Sequence, residues 1–478
     1  MKKAIIVLSI ALAVAACDKL SPVIEITSEN DSVVTFNISV ESNETKAVKS
    51  EWANGDKIYV FFEGLAEKWL ELTYDGSIWS AEDGNGTFVA GDFSALGTKE
   101  LTAVHLPVDA TVTYANSKFS FRDASDNPIY TFYLYEANKA YTVDGTTVTA
   151  NLSIGKPADY VWFHVAGIEA NADQYYLKES NLLATACDYV NLDGGVTEKE
   201  TAGHVLVPVA DADGAMYAAK GTSLGVSTTY NFQLIKVHDA SDMIAEATYT
   251  RTVASKNLAA GKQVNLNTPL AGSDWTLNKW VDLGFATNNV AWGVGNLVGY
   301  NTIPETYGVG TPENLGRFFY WAGTEDHKSG YGFGFANAPY YDSELSQYTK
   351  YTNTDSKTVL ESSDDAANVL LGDGWRLPTA DEMSNLEASY NSPATYNEAG
   401  GFTFDGPCGV SLFIVKNGYV NGSTGKYSAG ATFIWTSNVA DTKTSGKYMR
   451  VSFGDTPVAE IRPGQRQHGM GVRPVKDI

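Results

Sequence analysis

The densest group of residues able to do chemistry is the stretch GDGWRLPTADEM, Gly372 to Met383, where Asp373, Arg376 and Asp381 crowd one tight turn. Such crowding is what an active corner would need, yet the spacing favours a plainer job. Thr379 is placed as a helix N-cap, with Glu382 three residues on to close a capping box. Trp375 and Leu377 alternate on a short strand that Pro378 ends. The stretch therefore reads as a strand forced into a helix running to about Tyr390. Trp375 and Leu377 plug a core, and Arg376 pairs with nearby carboxylates.

Other constellations offer less. Asp364 and Asp365 have the donor type for calcium, but adjacent acids at a helix start serve its positive end. His327 and His468 stand isolated and read as surface residues. GVGN at Gly293 and GYGFGFAN at Gly330 lack the strand-to-helix context that gives a phosphate loop its meaning. No GxSxG, HExxH or CxxC occurs, and carboxylate pairs are too common in an acidic chain to discriminate anything. Cys187 and Cys408 read as small buried apolar residues. The expectation is a protein without catalysis, metal or cofactor, because calcium would need more oxygen ligands than any one place supplies.

Aromatic residues are the remaining resource. In the run Tyr331, Phe333, Phe335, Tyr340, Tyr341, Tyr348 and Tyr351, we assign Phe333 and Phe335 to a core and keep Tyr340 and Tyr341 as candidate ligand contacts. Tyr rings at loop tips give flat faces to sugars or rigid anchors to proteins. Trp321, Trp375 and Trp435 are expected in the core. Tyr448 and Arg450 share one side of a late strand.

The elements that must position these residues form a chain of 478 residues, too long for one core. It begins MKKAIIVLSIALAVAAC: two lysines, an apolar run too short to span a bilayer, then small residues before Cys17. Val14-Ala15-Ala16-Cys17 resembles a bacterial lipobox, which implies removal of residues 1–17 as a signal, lipid on Cys17 and an outer-membrane attachment. The net charge of −22 argues against nucleic acid and anionic membrane surfaces as partners. Short alternating runs separated by turns read as mainly β.

Two β-prone runs, VIEI and VVTFNISV, open the mature chain, and an exposed polar connection carrying Lys46 and Lys49 follows. Asn54-Gly55-Asp56 leads into the strand Lys57 to Phe62, and Asp75-Gly76 makes the turn of a hairpin. The segments ETKAVKSEWANGDKIYVFF, LELTYDGSIW and AAGKQVNLN resemble the fimbrillin family of Bacteroidetes pilus lipoproteins, over residues 18 to 270. The resemblance implies two tandem transthyretin-like β-sandwiches, residues 18–155 and 156–272. It also implies proteolysis in the connection after the first strands, and filling of the opened groove by a strand of a neighbouring pilus subunit. The family's cleavage follows an Arg; here the matching connection has Lys46 and Lys49, and the first Arg in the chain is Arg122.

Residues 273–478 differ in character. Val281-Asp282-Leu283-Gly284, Phe319-Tyr320-Trp321-Ala322-Gly323, Asp364 to Ala367, Trp375 to Thr379, Trp435-Thr436-Ser437 and Val472-Arg473-Pro474-Val475 resemble the major paralogous domain of Fibrobacter succinogenes. That domain is similar in motif order to a branch of the C-type-lectin-like fold, which implies an α+β unit. In lectin-like folds the region around Tyr448 and Arg450 commonly forms the ligand surface. A domain appended where a stalk subunit would end implies the tip of a pilus. The expected function is thus a pilus subunit, at the tip, that binds a glycan or protein. The alternative is a lipid-anchored surface protein that captures its ligand and never polymerises.

Overall fold

The computed structural model describes residues 24–27, 33–40, 52–94, 96–106, 110–122, 129, 134–155, 160–168, 174–191, 195–211, 214–221, 229–254, 260–266, 274–300, 304–326, 333–372, 374–421, 426–452 and 457–478. Cys17, Lys46, Lys49 and His327 lie outside them. The chain is mainly β, with α-helices only at Ala90–Ser94, Ala366–Leu371 and Ala380–Ala388 among the described residues. It divides into two compact units. One comprises residues 1–173, 179–230 and 252–273, and the other 174–178, 231–251 and 274–478.

The first unit is built in layers. A four-stranded sheet runs in the order Ile24–Thr27, Val33–Val40, Thr147–Leu152, Thr142–Asp144. A five-stranded sheet runs Trp79–Asp83, Leu70–Tyr74, Lys57–Phe62, Glu100–Leu106, Leu134–Ala140. Between them Val34, Phe36, Ile38 and Val40 meet Ile58, Val60, Phe62, Leu70, Leu72 and Val148 in one core. The alternating pattern of Val33–Val40 is what a strand with one buried face requires. Lys57–Phe62 does not alternate, because its other face is buried as well. There Tyr59 and Phe61 pack with Phe119, Phe121, Cys187 and Val190. Those partners belong to an eight-stranded sheet whose strands, Thr111–Ala115 and Lys118–Arg122 among them, come from either side of residue 156. The Asp75-Gly76 turn forms as expected, with Asp75 Oδ1 accepting from the backbone of Ser77 and Ile78 and Gly76 at φ 94°.

The second unit holds the greater part of a sheet ordered Tyr175–Lys178, Thr229–Val237, Ala245–Ala254, Thr276–Asn278. A five-stranded sheet follows in the order Phe318–Phe319, Met470–Gly471, Thr432–Val439, Ser445–Val451, Ala459–Gln465. Its core contains Trp321, Trp435, Tyr351, Leu377 and Val472. Both tryptophans are fully buried and their indole N–H groups donate to Thr436 O and Phe319 O, each at 2.9 Å. Cys187 and Cys408 are buried free thiols, and burial pushes both up, so neither is reactive.

Asp373 lies outside the described residues; in the rest of the corner the helix start forms as its spacing predicts. Thr379 caps the helix Ala380–Ala388 in a reciprocal box with Glu382. Asp365 caps Ala366–Leu371 through the backbone N–H groups of Ala367 and Asn368, and its other oxygen takes the N–H of Leu377 at 2.8 Å. Two expectations are corrected. Trp375 is half-buried with Lys476 Nζ 5.9 Å from its ring, because its two-residue strand lies at the edge of its sheet. Phe335 is 46% exposed on a short 3-10 turn, whereas Phe333 is buried as expected.

Candidate functional site

Tyr340 and Tyr341 meet different neighbours. Tyr340 adopts φ 60° and donates its hydroxyl to Asp364 Oδ1 at 2.6 Å, while Lys350 Nζ covers its ring at 4.8 Å. Tyr351 and Lys350 donate to Asp364 Oδ2 at 2.5 and 2.6 Å. Burial pushes the Asp364 carboxyl up, but these three donors outweigh it and hold the group below the usual carboxylate range. Asp364 thus organises an internal network. Tyr341 is half-buried between Tyr348, at 5.3 Å between ring centroids, and Phe335, at 4.7 Å.

Arg466 lies beside this network, fully buried, with its guanidinium 4.0 Å from the ring of Tyr348 and 4.7 Å from that of Trp321. It donates Nη1 to Lys350 O at 3.1 Å. Desolvation pulls its pKa down to about 10, so it remains a cation held by aromatic faces.

Tyr448 and Arg450 are brought together. They line a cleft of about 270 Å³ with Tyr419, Phe433, Gln465, His468 and Ser428. The geometry is set from the backbone upward. The buried Asn417 side chain accepts from Phe433 N–H at 2.9 Å and donates to Phe433 O at 3.1 Å, standing in for a neighbouring strand. Gly418, at φ 64°, then turns the chain, and Val420 and Gly469 exchange backbone bonds of 2.8 and 2.9 Å. That pairing sets Tyr419 against His468, with ring centroids 5.3 Å apart, and against Phe433 at 4.9 Å. Phe433 and Tyr448 stack across adjacent strands at 5.7 Å and 24°. Opposite, Gly464 makes room for Tyr448: a Cβ there would lie 2.7 Å from its ring.

The polar wall is cationic. Arg450 Nη2 contacts Glu460 at 2.5 Å, and Arg462 Nε holds the same carboxylate at 2.7 Å. Burial raises Glu460, yet the two arginines keep it below the ordinary range. Arg450 Nε and His468 Nε2 are buried without a hydrogen-bond partner among the described residues. Burial lowers His468, so the imidazole is neutral at pH 7. His468 therefore departs from the expected surface role: it forms a wall of the cleft. Tyr419 and Gly464 were also illegible as site residues, since their roles depend on a bridge between segments distant in sequence. The dipeptide Asn417-Gly418 is the one local signal.

His238, Asp239 and Asp242 come close enough together to hold an ion. Their atoms are already occupied by a turn. Asp242 Oδ2 meets His238 Nδ1 at 2.7 Å, Asp239 Oδ1 accepts from Ser241 N at 2.7 Å, and Asp242 Oδ1 accepts from Ile244 N at 2.9 Å. The cluster is explained by turn chemistry. The cleft offers aromatic faces and side-chain nitrogens.

No protein-family model and no curated protein matches the chain. Among solved structures, it is similar to a fimbrial protein from Bacteroides ovatus at 11% identity and TM-score 0.23, covering 93% of this chain and 99% of that one. A candidate cell adhesion protein from the same species gives 14% identity and TM-score 0.27, covering 51% of this chain and 94% of the other. A third, from Bacteroides uniformis and described in the same words, gives 13% and 0.25, covering 48% and 91%.

Proposed function

We propose that this chain is a subunit of a cell-surface fimbria, exported and lipidated at Cys17, that carries a ligand-binding domain at its C-terminal end. Cleavage after Lys46 or Lys49 releases the first strands, and a strand from a neighbouring subunit replaces them. A folded domain appended where a stalk subunit would donate its strand obstructs that donation, and the position we assign to the subunit is the tip.

The observation that supports this reading is the strand Val33–Val40. Four alternate side chains, Val34, Phe36, Ile38 and Val40, are buried, and the strand pairs in parallel with Thr147–Leu152. The segment that follows it holds both lysines. Each buried side chain contributes about 1.5–3 kcal/mol, so their removal opens a groove that only another alternating apolar strand refills. The test is the N-terminal sequence of the protein recovered from isolated fibres. A start at Ala47 or Ser50 is expected. A mature protein that keeps lipidated Cys17 and never enters fibres would replace this reading with a stationary, lipid-anchored capture protein.

A further inference from the structure

We propose that the cleft between Tyr419, Tyr448, Arg450 and His468 is a binding site for a single carboxylate-bearing sugar ring. This deepens the reading of the C-terminal domain as the ligand-binding part, and rests on it.

Charge is the first argument. The chain carries −22, yet the residues lining this cleft include Arg450 and no carboxylate. The acid that pairs with Arg450, Glu460, is shared with Arg462, so it engages Arg450 only in part. Among the described residues Arg450 bonds Glu460 through Nη2, and its Nε is buried with no partner. His468 Nε2 is in the same condition on the other wall. A buried guanidinium N–H without a partner is destabilising, and His468 Nε2 can donate in the tautomer that carries its proton there. A carboxylate seated between these walls gives the guanidinium the partner that its fork geometry suits.

Shape is the second argument. Tyr419 and Tyr448, both partly buried and braced by the buried Phe433, give the cleft apolar ring surface for the C–H side of a pyranose. Gly464 is what lets Tyr448 lie there, since any side chain would strike its ring. The cleft volume of about 270 Å³ falls below the roughly 300–1,000 Å³ of sites for larger ligands, which suits one ring. A peptide added along the edge strand Ala459–Gln465 is disfavoured. Pro463 lacks the N–H such pairing uses, and Glu460 and Arg462 place charge on the same strand.

The experiment titrates the full chain with D-glucuronic acid, D-glucose and acetate, by calorimetry and ligand-observed NMR. Glucuronic acid is expected to bind at least tenfold more tightly than either of the others. Arg450→Gln is expected to remove that preference, and Tyr448→Ala to weaken binding at least tenfold. Gly464→Ala, which leaves every polar group in place but displaces the Tyr448 ring, is expected to weaken it several-fold. Equal binding of glucose and glucuronic acid overturns the proposal, as does no binding of either, or acid-selective binding that Arg450→Gln leaves intact. Fibre incorporation is scored on the same preparations. Fibres containing a chain that ignores the acid sugar refute the cleft assignment alone, whereas acid-sugar binding by a chain that never enters fibres supports the cleft and refutes the fimbrial reading.

Discussion

Arg376 and Arg450 belong to one compact unit and live in opposite circumstances. Arg376 grips Glu382 with both terminal nitrogens at 2.8 and 2.6 Å, meets Asp477 through Nε and Nη2, and donates to Leu377 O. Its hydrogen bonds to Glu382, followed by those to Asp477, push it above its ordinary range. Arg450 uses one nitrogen on a carboxylate that it shares with Arg462. Crowding of charged residues along the sequence draws the eye to the first, but its spacing reads as structural, and Arg450 is the candidate ligand contact. The donors of Arg376 are all met, as its expected pairing with nearby carboxylates requires, whereas Arg450 keeps Nε without a partner among the described residues.

That contrast is broken or sharpened by four measurements. Lys178→Met tests the extreme of saturation. Lys178 Nζ sits 2.5 Å from Asp282 Oδ2 with both side chains buried, so its removal strands a carboxylate and is expected to cost about 3–5 kcal/mol in denaturant unfolding. Glu382→Ala removes the capping box together with the Arg376 fork, and about 2–4 kcal/mol is expected. A loss under about 1 kcal/mol would show that the corner is not a lock.

Asp364 gives a pH test. Its folded value is depressed, so its contribution is present in full above the unfolded carboxylate value of about 3.9. That contribution is lost as pH falls through the still lower folded value. Asp364→Asn is expected to cost about 1.5–3 kcal/mol at neutral pH, with the gap to the parent chain closing below about pH 4. A gap that stays constant down to pH 2 would contradict the network. Arg450→Gln is expected to change stability least, by under about 1 kcal/mol, since the Glu460 pair is partly exposed.

Local signals were legible in the sequence and non-local ones were not. Thr379 with Glu382, Asp365 before its helix and Asp75-Gly76 were readable because each is satisfied within a few residues. Trp375 and Phe335 were misplaced because hydrophobic character says nothing of which layer covers a side chain. Lys57–Phe62 was readable as a strand, but not that a third layer would cover its outer face. The cleft shows the same divide. Tyr448 and Arg450 fall on one strand, two residues apart, while Tyr419 and His468 reach them only through the Val420–Gly469 bridge.

The strand Val33–Val40 also sets a clock. Its partner strand lies more than a hundred positions downstream, as the bond between Ser39 and Asn151, 112 residues apart, records. A chain emerging from its N-terminus meets the first half of this pair long before the second, and closing so large a loop is slow. Until Thr147–Leu152 arrives, the slot for Phe36 and Ile38 cannot be completed by the chain's own strand. The first long strand to be made is therefore among the last to be fully covered, and Phe36 and Ile38 stay exposed for the whole of that interval.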